Sequence, residues 1–353
     1  MSATAATSMS RRHSPRTVLG AGGALLLLAF VLGASSGAYA ISTAQLWGVL
    51  RDAWQGVVQP TPEHLVFMNI RLPRLLLGMA AGCGLGMAGA LMQGLFRNPL
   101  ADPGLIGISS GAALAAGITI VLGAWLWPVL PRTLGSWTLV TMAFGGGFLV
   151  TLLIYVLSRS ESGTRMALML LAGIAINALA GAGLGLLSVM ATDEQLRSLQ
   201  FWLLGSLGGA RWSAVILVGI VVLLACAASL TLAGPLNAIA LGESQAALLG
   251  VDVEKVKRRA IVVTAFAVGS VTATTGIIGF IGLIAPHWVR MIAGPDHRIV
   301  LPASGLLGAA LVLAADTVAR TILAPAELPL GVLTAFIGVP MFLLMLRHYR
   351  NRV

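Results

Sequence analysis

The sequence predicts an all-α membrane protein with about ten transmembrane helices per subunit. Of 353 residues, 58% are hydrophobic and only 10% are charged, and mean hydropathy is +0.94. Soluble domains carry about 25% charged residues, so this chain has too few charges to cover a water-facing surface. Its apolar runs are long and continuous rather than alternating, which selects helices over a barrel. Nearly all acidic residues fall in the gaps between those runs.

A span needs about 20 apolar residues. The first, 17–40, follows Arg11, Arg12 and Arg16 and holds the apolar run Val18 to Leu32. The "GAYA" at 37–40 resembles a signal-peptidase site, so this stretch reads either as a cleaved leader or as an uncleaved span. The topology favours the span. The second, 65–92, carries "GMAAGCGLGMAGALMQG" (78–94), with small residues three or four apart. That spacing lets helix backbones approach closely in lipid, where no hydrophobic force drives association. A polar knot follows, "FRNPLADPG" (96–104), in which Pro99 and Pro103 break the helix. Spans at 104–125, 137–158 and 166–190 come next, the last with "GIAINALAGAGLG" (173–185). Further spans are read at 212–233, 258–276, 278–293, 299–318 and 329–347. The division near 277 is the least defined, since 258–285 also reads as one long helix.

This divides the chain into an N-terminal tail (1–16), one membrane domain (17–347) with a loop at 235–257, and a C-terminal tail (348–353). Two stretches share a grammar: a basic start (Arg71, Arg74 or Arg258, Arg259), a glycine-rich span, a proline break and another span. They begin on opposite sides of the membrane, as inverted repeats do.

With the N-terminus in the cytoplasm, the far side holds Arg51, Arg71, Arg74, Arg132, Arg197, Arg211 and Arg320, and the near side holds the other 15 of 22 Lys and Arg. That bias explains the net charge of +10. No basic cluster sits with stacking aromatics, so nucleic acid is not an expected partner.

No catalytic chemistry is legible. The chain lacks G-x-x-x-x-G-K-[ST], so it has no P-loop for ATP. Ser109 and Ser110 have no partnered histidine, the five histidines are dispersed, and no metal site is expected. Cys83 and Cys226 lie in separate apolar stretches and read as packing residues. Only Asp316 approaches a span, and helical spacing pairs it with Arg320 four residues on. A proton-driven carrier normally needs buried titratable groups along its path, and no such relay is present. Coupling to sodium through backbone carbonyls stays open. The power source is therefore expected on a separate polypeptide. A docking surface for it is "PLNAIALGESQAALLGVDVEKVKRR" (235–259), read as a short helix from Glu243 to Leu249, a stop at Gly250 and a second short basic helix.

These residues resemble the permease subunits of ABC importers for metal chelates: haem, ferric siderophores and cobalamin. The resemblance runs from about residue 65 to the end. It rests on "RLPRLLLG" (71–78), "GALMQGLFRNPLADPGLIGISSGAALAA" (89–116), "FWLLGSLGGARW" (201–212), "ALGESQAALLGVDV" (240–253), "GFIGLIAPHWVRMIAGPDHR" (279–298) and "LAADTVARTILAPAELPLGVLTAFIGVPMFLLML" (313–346).

The resemblance implies the cobalamin-importer permease fold, a homodimer with a path along its axis, and a bacterial inner membrane with both termini cytoplasmic. Its implied partners are two cytoplasmic ATPase subunits, which use the ATP, and a periplasmic substrate-binding protein. It places ATPase coupling on Glu243, Ala247, Leu249, Gly250 and Val251. Docking of the binding protein falls on Arg71, Arg74 and Arg320, read as guanidinium groups on the outer rim that suit carboxylate partners. The inner gate falls on Asn98, Pro99 and Leu100, against the plainer reading of a tight turn capped by Asp102. His287 is not expected to ligate haem, since conduction requires release, and no cofactor is expected to be held stably. "ATDEQLRSLQFWLLGSLGGA" (191–210) resembles haem permeases most. A self-contained secondary carrier or channel is the alternative from a different class.

Overall fold

The computed structural model describes residues 14–37, 39, 41–55, 61–161, 163–324 and 326–350. Residues 1–13 and 351–353 of the expected tails, with Arg11, Arg12 and Arg352, lie outside the described residues.

The chain opens with α1 (Pro15–Ser35), whose first turn is capped by the Ser14 hydroxyl, with Pro15 at its first position. An amphipathic α2 (Thr43–Trp54) and a short α3 (Pro62–Val66) follow. A π-helical turn, Phe67–Arg71, joins α3 to α4 (Leu72–Leu95). Pro73 explains the turn. It has no N–H for the carbonyl four residues back, Asn69, so the helix widens there. Beyond the knot, a 3-10 turn (Pro103–Ile106) leads to α5 (Ile108–Leu126), a short α6 (Leu130–Leu134) and α7 (Trp137–Leu157). A two-stranded hairpin, β1 (Arg159–Ser160) and β2 (Gly163–Thr164), precedes α8 (Met166–Met190).

Next come α9 (Asp193–Leu204) and α10 (Trp212–Thr231). Then α11 (Ala233–Ala240) and α12 (Glu243–Leu248) precede α13 (Val253–Thr275). The chain closes with α14 (Ile281–Ala293), α15 (His297–Thr321) and α16 (Leu330–Arg350). Among the described residues, eight helices are long and apolar enough to cross a membrane. The expected ten are completed by α13, whose first turns are charged, and α14, which has 13 residues. The division near 277 is real: Gly276 (φ +73°) ends α13, and a non-helical stretch leads to α14. The expected second basic helix of the 235–259 segment is not separate, because it forms the first turns of α13.

The core is the crossing of α4 with α15. The most apolar stretch of α4 is 78% buried within the chain, against 17% for that of α8. At the crossing, a Cβ on Gly82 or Gly86 would strike the α15 backbone at Gly308 or Ser304. The glycines are therefore required by contact with main-chain atoms that cannot rotate away. Gly86→Val is expected to abolish the folded, monodisperse protein, read by fluorescence-detected size exclusion. A normal elution profile would show that the crossing has slack.

Candidate functional site

The expected site residues lie at the two ends of the bundle. At one end α1 and α15 finish and α4 begins. Arg74 binds two carboxylates. Its Nε and Nη2 donate to Asp316 at 2.9–3.1 Å, and its Nη1 and Nη2 donate to Glu327 at 2.9 Å. Arg71 donates to the Ala34 carbonyl (2.7 Å) and to that of Tyr39. Arg320 donates to the Gly33 carbonyl (2.8 Å), and its Nε lies 3.3 Å from Asp316 Oδ2 in a charge contact without hydrogen-bond geometry. The expected Asp316–Arg320 pair is thus present, but Asp316 binds Arg74 more fully, from 242 residues away in sequence.

The three guanidinium groups of the expected rim are not free. Arg71, Arg74 and Arg320 are 4%, 7% and 7% exposed, and most of their donors are turned inward onto α1 carbonyls, Asp316 and Glu327. The reason is desolvation: a guanidinium leaving water needs acceptors, and the unpaired carbonyls at the C-terminal end of α1 supply them. Arg74→Glu would crowd a third carboxylate against Asp316 and Glu327, so it would report on folding rather than docking. Glu327 alone reaches solvent, with a side chain 44% exposed.

At the opposite end lies the knot. Asn98 Oδ1 accepts from the Leu100 N–H (3.0 Å), and Asp102 Oδ1 accepts from the Gly104 N–H (2.7 Å). These bonds form the tight turn and cap of the plainer expectation. Arg97 is held at φ +49°. Asn98 is exposed, while Pro99 and Leu100 are half-buried. Leu100 packs beside Leu283 of α14 and Met345 of α16. Among the described residues, the other non-glycine at positive φ is Phe280 (+66°), in the α13–α14 break. The break that the second stretch's grammar places at Pro286 is not there, since Pro286 lies inside α14; the helix is interrupted earlier, over residues 276–280, where Phe280 is strained.

The third group is the elbow around α12. Gly250 (φ +81°) donates to the Ala247 carbonyl and Val251 donates to that of Ala246, both at 3.0 Å, the two bonds of a Schellman stop. Leu248 and Leu249 then project 82% and 65% exposed. Leu248 was not among the expected coupling residues, because an exposed leucine reads in sequence like any other. Asp252 caps α13, and its bonds to the Lys255 side chain and N–H hold its carboxyl below the usual range. The cap is therefore ionised at neutral pH and weakens only in acid.

Behind the elbow sits Lys257, which sequence reasoning missed. It is 3% exposed. Its Nζ donates to Glu243 (2.7 Å), the Thr164 carbonyl (2.7 Å) and Glu254 (3.2 Å). Glu254 in turn accepts from the Thr164 N–H and hydroxyl. One ammonium thus ties α12, α13 and the β-hairpin together. Lys257→Met is expected to cost about 1–3 kcal/mol locally and to loosen α12 without unfolding the bundle. Faster hydrogen exchange confined to 241–254 would check this, and unchanged exchange there would refute it.

A fourth network joins α4, α11, α14 and α15. His297 Nδ1 lies 2.8 Å from Asn237 Oδ1, and its Nε2 lies 3.3 Å from Arg290 Nη2. Arg290 Nε donates to Gln93 (3.3 Å), and Asn237 Nδ2 donates to Asp296 (2.6 Å). The partners assign the neutral Nδ1–H tautomer to His297. His287 is buried within α14. An apolar cavity of ≈ 660 Å³ lies between α9, the α13–α14 break and α16, walled by Leu203, Ile277, Phe280, Phe336 and Val339.

The model of the FecCD transport family matches residues 25–348. The chain is 44% identical over 346 residues to the hemin transport system permease protein HmuU of Yersinia pestis, covering 98% of this chain and 99% of that one. It is 38% identical over 310 residues to the cobalamin import system permease protein BtuC of Halobacterium salinarum, covering 87% and 80%. A solved structure described as a metal-chelate type ABC transporter in an inward-facing conformation superposes with a TM-score of 0.81 at 31% identity. It covers 94% of this chain and 99% of that one.

Proposed function

Because the chain belongs to the FecCD transport family, we propose that it is the permease subunit of an ATP-driven importer that moves an iron chelate, with haem as the leading cargo, from periplasm to cytoplasm. The observation that carries this reading is the 44% identity to a hemin permease over nearly the whole of both chains. In this reading two copies form the path in a bacterial inner membrane, with both termini in the cytoplasm. Two ATPase subunits bind and hydrolyse ATP and grip the elbow at Glu243, Ala247, Leu249, Gly250 and Val251. The chain itself performs no catalysis and keeps no cofactor, because the cargo is passed through.

Transport proceeds by alternating access. Closure of the ATPase subunits pushes α12, and Lys257 passes that push to α13 and the hairpin. The Asn237–Asp296–His297 network links α11 to α15. Asn98, Pro99 and Leu100 form the inner gate, and the apolar cavity beside Phe280 gives a large chelate a wall without ligands. Docking of the periplasmic binding protein on Arg71, Arg74 and Arg320 requires its acidic residues to displace Glu327, the one exposed carboxylate of that cluster.

The test is uptake of radiolabelled hemin, a ferric siderophore and cobalamin into proteoliposomes holding the permease, its ATPase and its binding protein. ATP-dependent hemin uptake above the other two is expected. Preference for cobalamin, in line with the 38% identical relative, would reassign the cargo. Gradient-driven uptake without the ATPase would overturn the permease reading in favour of a secondary carrier.

A further inference from the structure

The two cysteines, expected as unrelated packing residues, meet. Cys83 on α4 and Cys226 on α10 are 143 residues apart, yet their Sγ atoms lie 3.6 Å apart and both are free thiols. The helices pack against each other here. A Cβ on Gly84, next to Cys83, would sit 3.0 Å from Val222, one turn before Cys226. A disulfide needs an S–S distance of about 2.05 Å, so about 1.5 Å of approach separates the pair from a bond. Neither thiol is sealed off. Both line an apolar cleft of ≈ 370 Å³ walled by Leu26, Met79, Leu223 and Leu306. Among the described residues no charged side chain lines the cleft, so it favours apolar molecules and disfavours ionic oxidants.

We propose that Cys83 and Cys226 form a redox modification site, oxidised to an α4–α10 disulfide by a membrane-permeant two-electron oxidant of the quinone or diazene class. The step balances. The two thiols lose two protons and two electrons and one S–S bond forms, while the quinone becomes its quinol or the diazene its hydrazine. The consequence follows from what each helix carries. Arg74 sits on the first turn of α4 and the knot follows its last. α10 runs directly into α11 and then α12. A covalent staple fixes the gate-bearing helix to the helix that leads into the coupling elbow, so alternating access stops in the oxidised form. This consequence rests on the permease reading, whereas the disulfide itself does not.

The experiment uses the assembled transporter in proteoliposomes, treated with diamide and then with a reductant. Peptide mapping should show the 83–226 crosslink, with the chain losing the mass of two hydrogens. Uptake should fall by more than about tenfold, as a blocked conformational step would require, and return on reduction. Cys226→Ala should transport normally and ignore diamide. Absence of the crosslink after treatment would overturn the site. A crosslink with full uptake would overturn the staple. An untreated complex that imports no chelate would count against the permease reading and leave the mapped crosslink standing.

Discussion

Asp316→Asn is expected to destroy the end of the bundle where α1 and α15 finish and α4 begins. The substitution keeps the shape of the side chain and removes one charge. Asp316 is 1% exposed and faces two arginines, Arg74 and Arg320, that are each 7% exposed. Removing one partner of a buried ion pair costs about 3–5 kcal/mol, because the remaining charge stays desolvated. That is comparable to the whole stability of a marginal domain. Here the loss also releases α1, because the Arg320 that contacts Asp316 also holds the Gly33 carbonyl. Glu327→Gln is the control. Its side chain is 44% exposed, so water replaces its contacts and the expected cost is about 1 kcal/mol or less. The measurement is the thermal midpoint in detergent. The expected order is a large drop for Asp316→Asn and a small one for Glu327→Gln. Equal midpoints would show that the cluster does not hold α1, α4 and α15 together.

Leu248→Asp combined with Leu249→Asp should separate the permease from its motor. The two leucines are exposed in this chain, so the variant should fold and elute normally. If they anchor the ATPase subunit, two carboxylates would replace apolar contacts in a desolvated interface. Central anchors of this kind contribute about 2–4 kcal/mol each, so affinity should fall at least about thirtyfold. The readouts are ATPase binding to the immobilised permease and ATP-driven uptake, and both should be lost together. Undiminished ATPase binding would move the docking surface away from α12. The contrast with Lys257→Met is informative. The leucines act at the contact itself, whereas Lys257 lies behind it and sets how stiffly α12 is mounted.

The spans were legible in sequence because the information is local. In lipid every backbone group must be satisfied within its own helix, so a continuous apolar run of sufficient length predicts a helix whatever its neighbours are. The same locality made the 96–104 knot and the Gly250 stop readable, since proline and left-handed glycine act on their own backbone, whereas the Gly276 break was the least defined division. The first turns of α13 were misread as a separate helix because four Lys and Arg between 255 and 259 hide the start of a span from any hydropathy count. α9 went unread for a similar reason. Its capping box at Thr192 and Gln195 is a clear start signal, but its mixed polarity gives no membrane pattern.

By itself the sequence determined the class, the number of crossings and the positions of the elbow and knot, because each rests on forces acting within a few turns of one helix. Only the tertiary structure decided which side chains answer one another. It turned Arg74 inward onto Asp316 and Glu327, set Lys257 against Thr164 and Glu243, and brought Cys83 to Cys226. Those pairings depend on the rotation and tilt of each helix against its neighbours. In a bilayer these are set by interlocking shape, such as Gly82 against Gly308, and one strand of sequence carries no record of the surface it will meet.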